Sequence, residues 1–243
     1  MTAPASVPLD FGRRSPALEL MDTEECGVAE FEACLVDLAK VNRVTNAYRP
    51  TFLWLDRLVR DRRPTEPLRI VDCGSGYGDM LRKIDRWAVR RGIAVELTGI
   101  DLNPWSRAAA LKATAPDWPI RWITTDLFEY RPDQPVDIVI SSLFTHHLTD
   151  DQVVRFVRWM ETTSRVGWFV NDLHRHPLPY HVFRLWSKLA GWHRFVQNDG
   201  PISITRAFVA ADWRRLLARA EVPADAADVA WHVPFRLCVG RRK

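Results

Sequence analysis

Acids at the ends of apolar runs and paired histidines are the residues of this chain that could do chemistry. The stretch IVDCGSGYGDM, residues 70–80, sets Asp72 at the close of an apolar run and follows it with Gly74, Gly76 and Gly78. Glycines between a strand and a helix let backbone approach a ligand, with helix N–H groups free for its polar or negative parts. The spacing is G-x-G-x-G with Asp at position 79, unlike the G-x-G-x-x-G of dinucleotide sites. An acid just before such a loop attracts a cation and repels a pyrophosphate. Two further runs end in acids, GID at Asp101 and TTDL at Asp126. An acid at the tip of the second strand of an open α/β sheet is placed to accept hydrogen bonds from ribose hydroxyls.

The histidines follow the next two runs. His146 and His147 stand in SSLFTHHL, and His174 and His176 in NDLHRHP. Imidazole changes charge close to neutral pH, which suits a general base. His174 and His176 could also chelate, but no close set of carboxylates or cysteines completes a site, so no metal is expected. Adjacent side chains tend to opposite sides of a chain, so one of His146 and His147 is expected to face inward and the other to be structural.

These residues need a scaffold that gathers them. From residue 68 onward short β-rich runs alternate with helical patterns, the sign of a parallel sheet covered by helices. Strands are expected at Leu68 to Cys73, Val95 to Asp101, Ile120 to Asp126, Val136 to Leu143 and Val166 to Leu173. Two more are expected at Val229 to Val233 and Phe235 to Val239. Helices fall between them at about Asp79 to Arg91, Pro104 to Thr114 and Asp150 to Ser164, the last with Asp150 as N-cap. Upstream, Glu30 to Arg62 reads as amphipathic helix broken at Pro50. Downstream, Pro177 to Trp192 is apolar and aromatic, and Phe208 to Ala220 is helical.

VDCGSGYGD, GIDLNP, TTDLF and DIVISSLFTHHL, in this order over Leu68 to Leu173, resemble motifs I to IV of class I S-adenosylmethionine-dependent methyltransferases. The likeness is to the small-molecule branch that includes the ubiquinone and menaquinone biosynthesis enzymes. It implies a Rossmann-like, seven-stranded, mostly parallel sheet with helices on both faces and an N-terminal helical cap. It also implies S-adenosylmethionine as cofactor: Asp72 and the glycines Gly74 and Gly76 around the methionine part, Asp101 on the ribose, Asp126 with Leu127 on the adenine, and Ser75, Leu102 and Ser142 as further cofactor-binding residues. Where the quinone-pathway enzymes read FGLRN, this chain places His146 on the family's Arg and His147 on its Asn. His146 and His174 are the expected catalytic groups. His147, His176, Tyr180 and Phe183 are expected on the acceptor, within aromatic walls that draw on Trp186 and Trp192 downstream and Tyr48, Phe52 and Trp54 upstream.

Length and composition set the remaining bounds. The chain has 243 residues, 47% hydrophobic and 26% charged, with no apolar run near the roughly 20 residues that span a bilayer. Residues 1–20 carry three prolines and no export signal, and read as a loose leader. Residues 21–66 are expected as the cap, and 67–243 as the methyltransferase domain with an acceptor-site insertion at about 175–205. Four cysteines without a C-x-x-C pair suit a reducing cytoplasm. Lys and Arg exceed Asp and Glu by 34 to 30, a surplus without a basic tract, so a small-molecule acceptor is expected and nucleic acid is not. A monomer or homodimer is expected. The competing readings are an RNA methyltransferase and a cofactor-binding partner protein without catalysis.

Overall fold

Side chains of a strand alternate between the two faces of a sheet, and here both faces are apolar. Val71 and Cys73, Val139, Trp168 and Val170, and Leu237 and Val239 pack on one side, while Ile70, Ile138 and Ile140, Phe169 and Cys238 pack on the other. The structure is a computed structural model that describes residues 9–23, 27–61 and 64–243. Cys26, Arg62 and Arg63 lie outside these residues.

The sheet contains β1 (Leu68–Cys73), β2 (Val95–Asp101), β3 (Ile120–Thr124), β4 (Val136–Ser142), β5 (Ser164–Leu173), β6 (Ala227–His232) and β7 (Arg236–Arg242). Their order is β3-β2-β1-β4-β5-β7-β6. The first five are parallel, and β7 runs antiparallel between β5 and β6. Chain order reverses between β1 and β4, which opens the ligand crevice of such sheets at the carboxyl ends of the strands. β3 stops at Thr124, so Asp126 stands in the loop beyond it.

The helices among the described residues are α1 (Leu20–Thr23), α2 (Val28–Val44), α3 (Arg49–Asp61), α4 (Asp79–Arg91), α5 (Pro104–Lys112), α6 (Asp150–Thr163), α7 (Pro177–Leu189), α8 (Arg194–Arg206) and α9 (Ala210–Arg219). α3 and α4 bury Leu55, Leu58, Leu81 and Ile84 on one face of the sheet; α6 and α9 bury Phe156, Met160, Trp213 and Leu216 on the other. Pro50 sits in the first turn of α3, where a missing N–H breaks no helical bond. The N-cap of α6 is Thr149 and not Asp150. Thr149 Oγ1 accepts from Gln152 N at 3.3 Å and Gln152 Oε1 accepts from Thr149 N at 2.9 Å, a reciprocal capping box. Asp150 is freed to pair with Arg14 and Arg215.

A roof of helices covers the carboxyl edge. α2 packs on α5 and α8, α7 and α8 form a helical hairpin, and α1 rests on α8. Of the segment expected as a cap, α2 therefore roofs the edge while α3 lies on the sheet. The described part of the expected leader is tied down as well. Ser15 N donates to Thr205 O at 3.0 Å, and Leu20 N and Met21 N donate to the carboxylate of Asp199 at 2.8 and 3.0 Å.

Candidate active site

Each glycine of the loop after β1 has a positive φ: 69° at Gly74, 49° at Gly76 and 74° at Gly78. Side chains disfavour that region. A Cβ on Gly74 would also stand 2.5 Å from the Phe144 ring, and one on Gly78 2.2 Å from the Trp122 ring. No atom lies within 4 Å of a Cβ on Gly76. Two glycines thus make room for aromatic packing, and Gly76 bares backbone to open space. The loop is held to β2, since Gly74 N and Ser75 N donate to Ile100 O and Gly76 N donates to Asp101 Oδ2 at 2.8 Å.

The acids follow from this frame. Asp101 Oδ1 accepts from Asn103 N at 2.9 Å, and Asp126 Oδ1 accepts from Phe128 N at 2.8 Å, so backbone orients both carboxylates. Burial pushes the Asp101 carboxyl up, opposed by its bonds to Asn103, Gly76 and Ser106. Asp72 lies beneath the loop, 2% exposed, and its Oδ1 has no hydrogen-bond partner. Burial, with Asp79 and Asp101 close by, pushes its carboxyl well above the usual range. Two other buried polar atoms lack partners here, Asn42 Oδ1 of α2 and Arg236 Nη1 of β7. Tyr48 donates to Asp79.

Asn42 and Arg236 line a cavity of about 990 Å³ together with Gly74, Ser75, Gly76, Asp101, Leu102, Asp126, Leu127 and Ser142. Its remaining wall is mainly apolar and comes from α2, α7 and α8, with Phe31, Leu35, Leu38, Phe183, Phe195 and Ile204. A hollow of about 310 Å³ beside Arg131 and Trp159 contains none of the expected site residues.

Beyond β4, Leu143 takes φ 56° and the chain enters a 3₁₀ turn, Thr145–His147. The turn brings both histidines to the cavity, with ring centroids 4.3 Å apart. The expectation that only one faces inward is corrected: successive residues of a 3₁₀ turn are about 120° apart and do not oppose each other. Asp172 organises the turn from the end of β5. It accepts from Thr145 Oγ1 at 2.5 Å and His146 N at 3.0 Å on Oδ2, and from His146 Nδ1 at 2.7 Å on Oδ1. Burial alone would raise this carboxyl, but His146, Thr145 and the Leu173 N–H hold it well below the ordinary range. Asp172 thus engages Nδ1 of the imidazole and leaves Nε2 turned toward Glu19.

Glu19 closes the site from the N-terminal segment. It is 4% exposed, its carboxylate oxygens stand 3.7 Å from His146 Nε2 and 3.8 Å from His147 Nε2, and Ser203 Oγ donates to it at 2.9 Å. Ligand atoms of Glu19, His146 and His147 all lie within 4.8 Å of one another, close enough to share a cation. Two arginines hold the carbonyls of the turn. Arg14 donates to His146 O and Leu148 O at 3.1 and 2.8 Å, and Arg206 to His146 O and His147 O at 3.2 and 3.1 Å.

The structure does not bring every expected residue here. Asp72, His174, His176 and Tyr180 are absent from the cavity wall. His174 forms a bridge with Phe208, and its N–H donates to Phe235 O at 3.0 Å. Burial pushes its imidazole down, helped by His176 and Arg175. His176 caps α7 by accepting from Leu178 N at 3.1 Å, and Tyr180 packs edge-on against Phe11. The bridge turns the chain away from the strand tips immediately after Leu173. Of the expected aromatic wall only Phe183 lines the cavity: Trp54 stacks on Phe169 in the core, and Trp186 and Trp192 pack on each other. Glu19, Asn42, Asp172 and Arg236 join the site unannounced. Asp172 alone carried a sequence signal, because it repeats the strand-tip acid of Asp72 and Asp101.

Residues 70–185 match the profile of a family described as a methyltransferase domain. No curated protein matches the chain in sequence. Human N-acetylserotonin methyltransferase in complex with S-adenosylmethionine superposes with a TM-score of 0.64 at 18% identity, over 94% of this chain and 60% of that one. The methyltransferase domain of the citrinin polyketide synthase gives 0.57 at 17%, over 80% and 52%. Magnesium protoporphyrin IX methyltransferase from Synechocystis PCC 6803 with bound S-adenosylhomocysteine gives 0.55 at 14%, over 84% and 86%. The chain spans half to three-fifths of the length of the first two. At these identities the likeness is one of fold. Residues 70–185 thus resemble a methyltransferase domain, on a fold shared with S-adenosylmethionine-dependent methyltransferases.

The residues present fit that cofactor. On the cavity wall Asn42 Oδ1 is an acceptor without a donor, suited to an ammonium, and Arg236 Nη1 a donor without an acceptor, suited to a carboxylate; Asp72 Oδ1, buried beneath the loop, is a further acceptor without a donor. Backbone N–H groups hold the Asp101 and Asp126 carboxylates on the cavity wall, where they can accept hydrogen bonds. No helix among the described residues is long and apolar enough to cross a membrane.

Proposed function

We propose that the protein transfers a methyl group from S-adenosylmethionine to a small, planar or lipophilic acceptor, quinone- or polyketide-like, at a hydroxyl oxygen or an acidic carbon. The observation that carries this reading is one cavity with two chemistries. Its Gly76, Asp101 and Asp126 side offers backbone and carboxylates to a nucleoside, and its α2, α7 and α8 side offers apolar surface to a second molecule. His146 sits on the same cavity, its free Nε2 backed through Nδ1 by Asp172.

When bound, the cofactor supplies an electrophilic methyl group on a sulfonium. The chain supplies alignment, exclusion of water and a place for the acceptor's proton. Nε2 of His146 would take that proton as the acceptor atom gains the methyl group, and Asp172 would steady the resulting imidazolium. Glu19 and His147 flank the acceptor's polar end, and Phe31, Leu38, Phe183 and Phe195 enclose its apolar body. The protein is read as a cytoplasmic monomer or homodimer.

The test is incubation of the protein with methyl-labelled S-adenosylmethionine and a metabolite extract, followed by mass spectrometry of the labelled product. A small lipophilic product with one added methyl supports the reading. Label entering RNA, or cofactor bound without transfer to any compound in the extract, overturns it.

A further inference from the structure

Helix α7 has two unlike faces. Leu178, Val182, Leu185 and Leu189 are 53%, 49%, 63% and 77% exposed, unusually so for side chains of this size. At about 100° per residue their directions fall within roughly 60° of arc, a single stripe along the helix. The opposite face is buried, with Ser187 against the protein and Phe183 on the cavity wall. A Cβ on Gly200 of α8 would come 2.0 Å from the Phe183 ring, so the inner face is closely seated. The outward stripe therefore belongs to a well-packed helix.

The borders of the stripe say what it meets. His181, Arg184 and Lys188 are exposed along one side, and Trp186 stands on the other. No Asp or Glu occurs between residues 173 and 198. An apolar stripe edged by cations and an indole is the pattern of a helix lying in the plane of a bilayer surface. A second copy of the chain fits less well, because a two-fold contact across this stripe would bring Arg184 and Lys188 near their own counterparts. Trp231, 51% exposed, extends the apolar surface past the N-terminus of α7, since it packs on Phe235, which stacks on the capping residue His176.

We propose that the outer face of α7 docks the protein on the surface of an anionic lipid bilayer. Leu178, Val182, Leu185 and Leu189 enter the boundary between headgroups and acyl chains, and Arg184 and Lys188 meet lipid phosphates. The placement puts the acceptor cavity one helix thickness from the membrane, where a lipophilic acceptor is concentrated.

Flotation with phosphatidylcholine vesicles, with and without phosphatidylglycerol, tests this in the full chain without any need for an acceptor, so it stands apart from the methyl-transfer reading. The parent should float with the anionic vesicles and lose binding as salt rises. The double variants Val182→Glu with Leu185→Glu, and Arg184→Glu with Lys188→Glu, should each bind about tenfold more weakly or worse. Their melting temperatures should remain near the parent's, because all four residues are exposed. Failure of the folded parent to float, or equal binding by the folded variants, overturns the proposal. So does a dimer in sedimentation that Leu185→Glu dissolves while vesicles are ignored.

Discussion

Nδ1 of His146 lies 2.7 Å from Oδ1 of Asp172, and both residues are buried, His146 in the 3₁₀ turn after β4 and Asp172 near the end of the adjacent β5. The pair leaves Nε2 as the one uncommitted nitrogen of the ring, on the wall that an acceptor would share with the cofactor. With the acceptor in hand, His146→Ala should lower turnover about 10²–10⁴-fold while cofactor affinity stays near the parent's. His174→Ala should leave turnover close to parental. Steady-state rates with calorimetry alongside decide it, and the reverse outcome moves the base to the far side of β5.

Asp172 also holds the turn together, so its loss should be felt in stability. Asp172→Asn should cost about 2–4 kcal/mol at neutral pH, because Thr145, the His146 N–H and the imidazole all address the ionised form. A carboxyl depressed in the folded state stabilises fully above its unfolded value of about 3.9 and loses that contribution as pH falls toward the lower folded value. The gap in melting temperature between parent and variant should therefore be full at pH 7 and close below about pH 4. A gap independent of pH would mean that packing, not charge, makes the difference.

Asp72 should behave in the opposite sense. Its carboxyl is raised, so the stability it allows is present below the unfolded value and is lost as pH rises toward the folded one. Asp72→Asn should stabilise the cofactor-free protein at pH 7 by about 1–2 kcal/mol and weaken S-adenosylmethionine binding about tenfold or more. An ammonium beside Asp72 favours the ionised carboxylate, so binding to the parent should release a proton. Calorimetry in buffers of different ionisation enthalpy reads that proton directly, and a heat that is the same in all buffers would remove Asp72 from the contact.

Gly76 separates conformation from contact. Gly76→Val places a branched side chain at φ 49° on the cavity side, its Cβ with no protein atom within 4 Å. It should abolish measurable cofactor binding and cost about 1–2 kcal/mol of stability through backbone strain. Asp101→Ala should weaken the cofactor by removing the ribose acceptor and, with it, the partner of the Gly76 N–H. Full-strength binding by both folded variants would place the cofactor elsewhere.

Strand-tip acids were legible in the chain because an apolar run that ends in Asp and then breaks marks both an element and its exit. The strands containing Asp72 and Asp101 end where their sequence predicts, and α4 spans the expected residues. The acceptor half was less legible, since its members are set by tertiary placement. Glu19 sits in a segment without hydrophobic periodicity, and tertiary bonds bring it over the histidines: Leu20 and Met21 to Asp199, Arg206 to Ala17 O and Ser203 to Glu19 itself. His174 misleads for a local reason. It lies two residues after Asp172 along an extended chain, which predicts the same cavity, but it pairs with Phe208 away from the cavity wall.

Glu19 gives the last prediction, because the same three side chains allow two chemistries. A carboxylate oxygen 3.7 Å from His146 Nε2 is too far for a direct hydrogen bond and leaves space for an acceptor hydroxyl or for a cation. A second-row carboxylate behind the ligating histidine, as Asp172 is here, also serves metal sites. Nε2 can take a proton or a metal but not both at once, and the base reading requires the proton. Exhaustive chelation is therefore expected to leave turnover unchanged, and Glu19→Gln to raise the acceptor KM about tenfold through a lost charge-assisted contact, with cofactor affinity intact. Should chelation abolish turnover and a divalent cation restore it in the parent, while His147→Ala and Glu19→Gln no longer bind that cation by calorimetry, His146 is a ligand and the acceptor's proton is displaced by the metal.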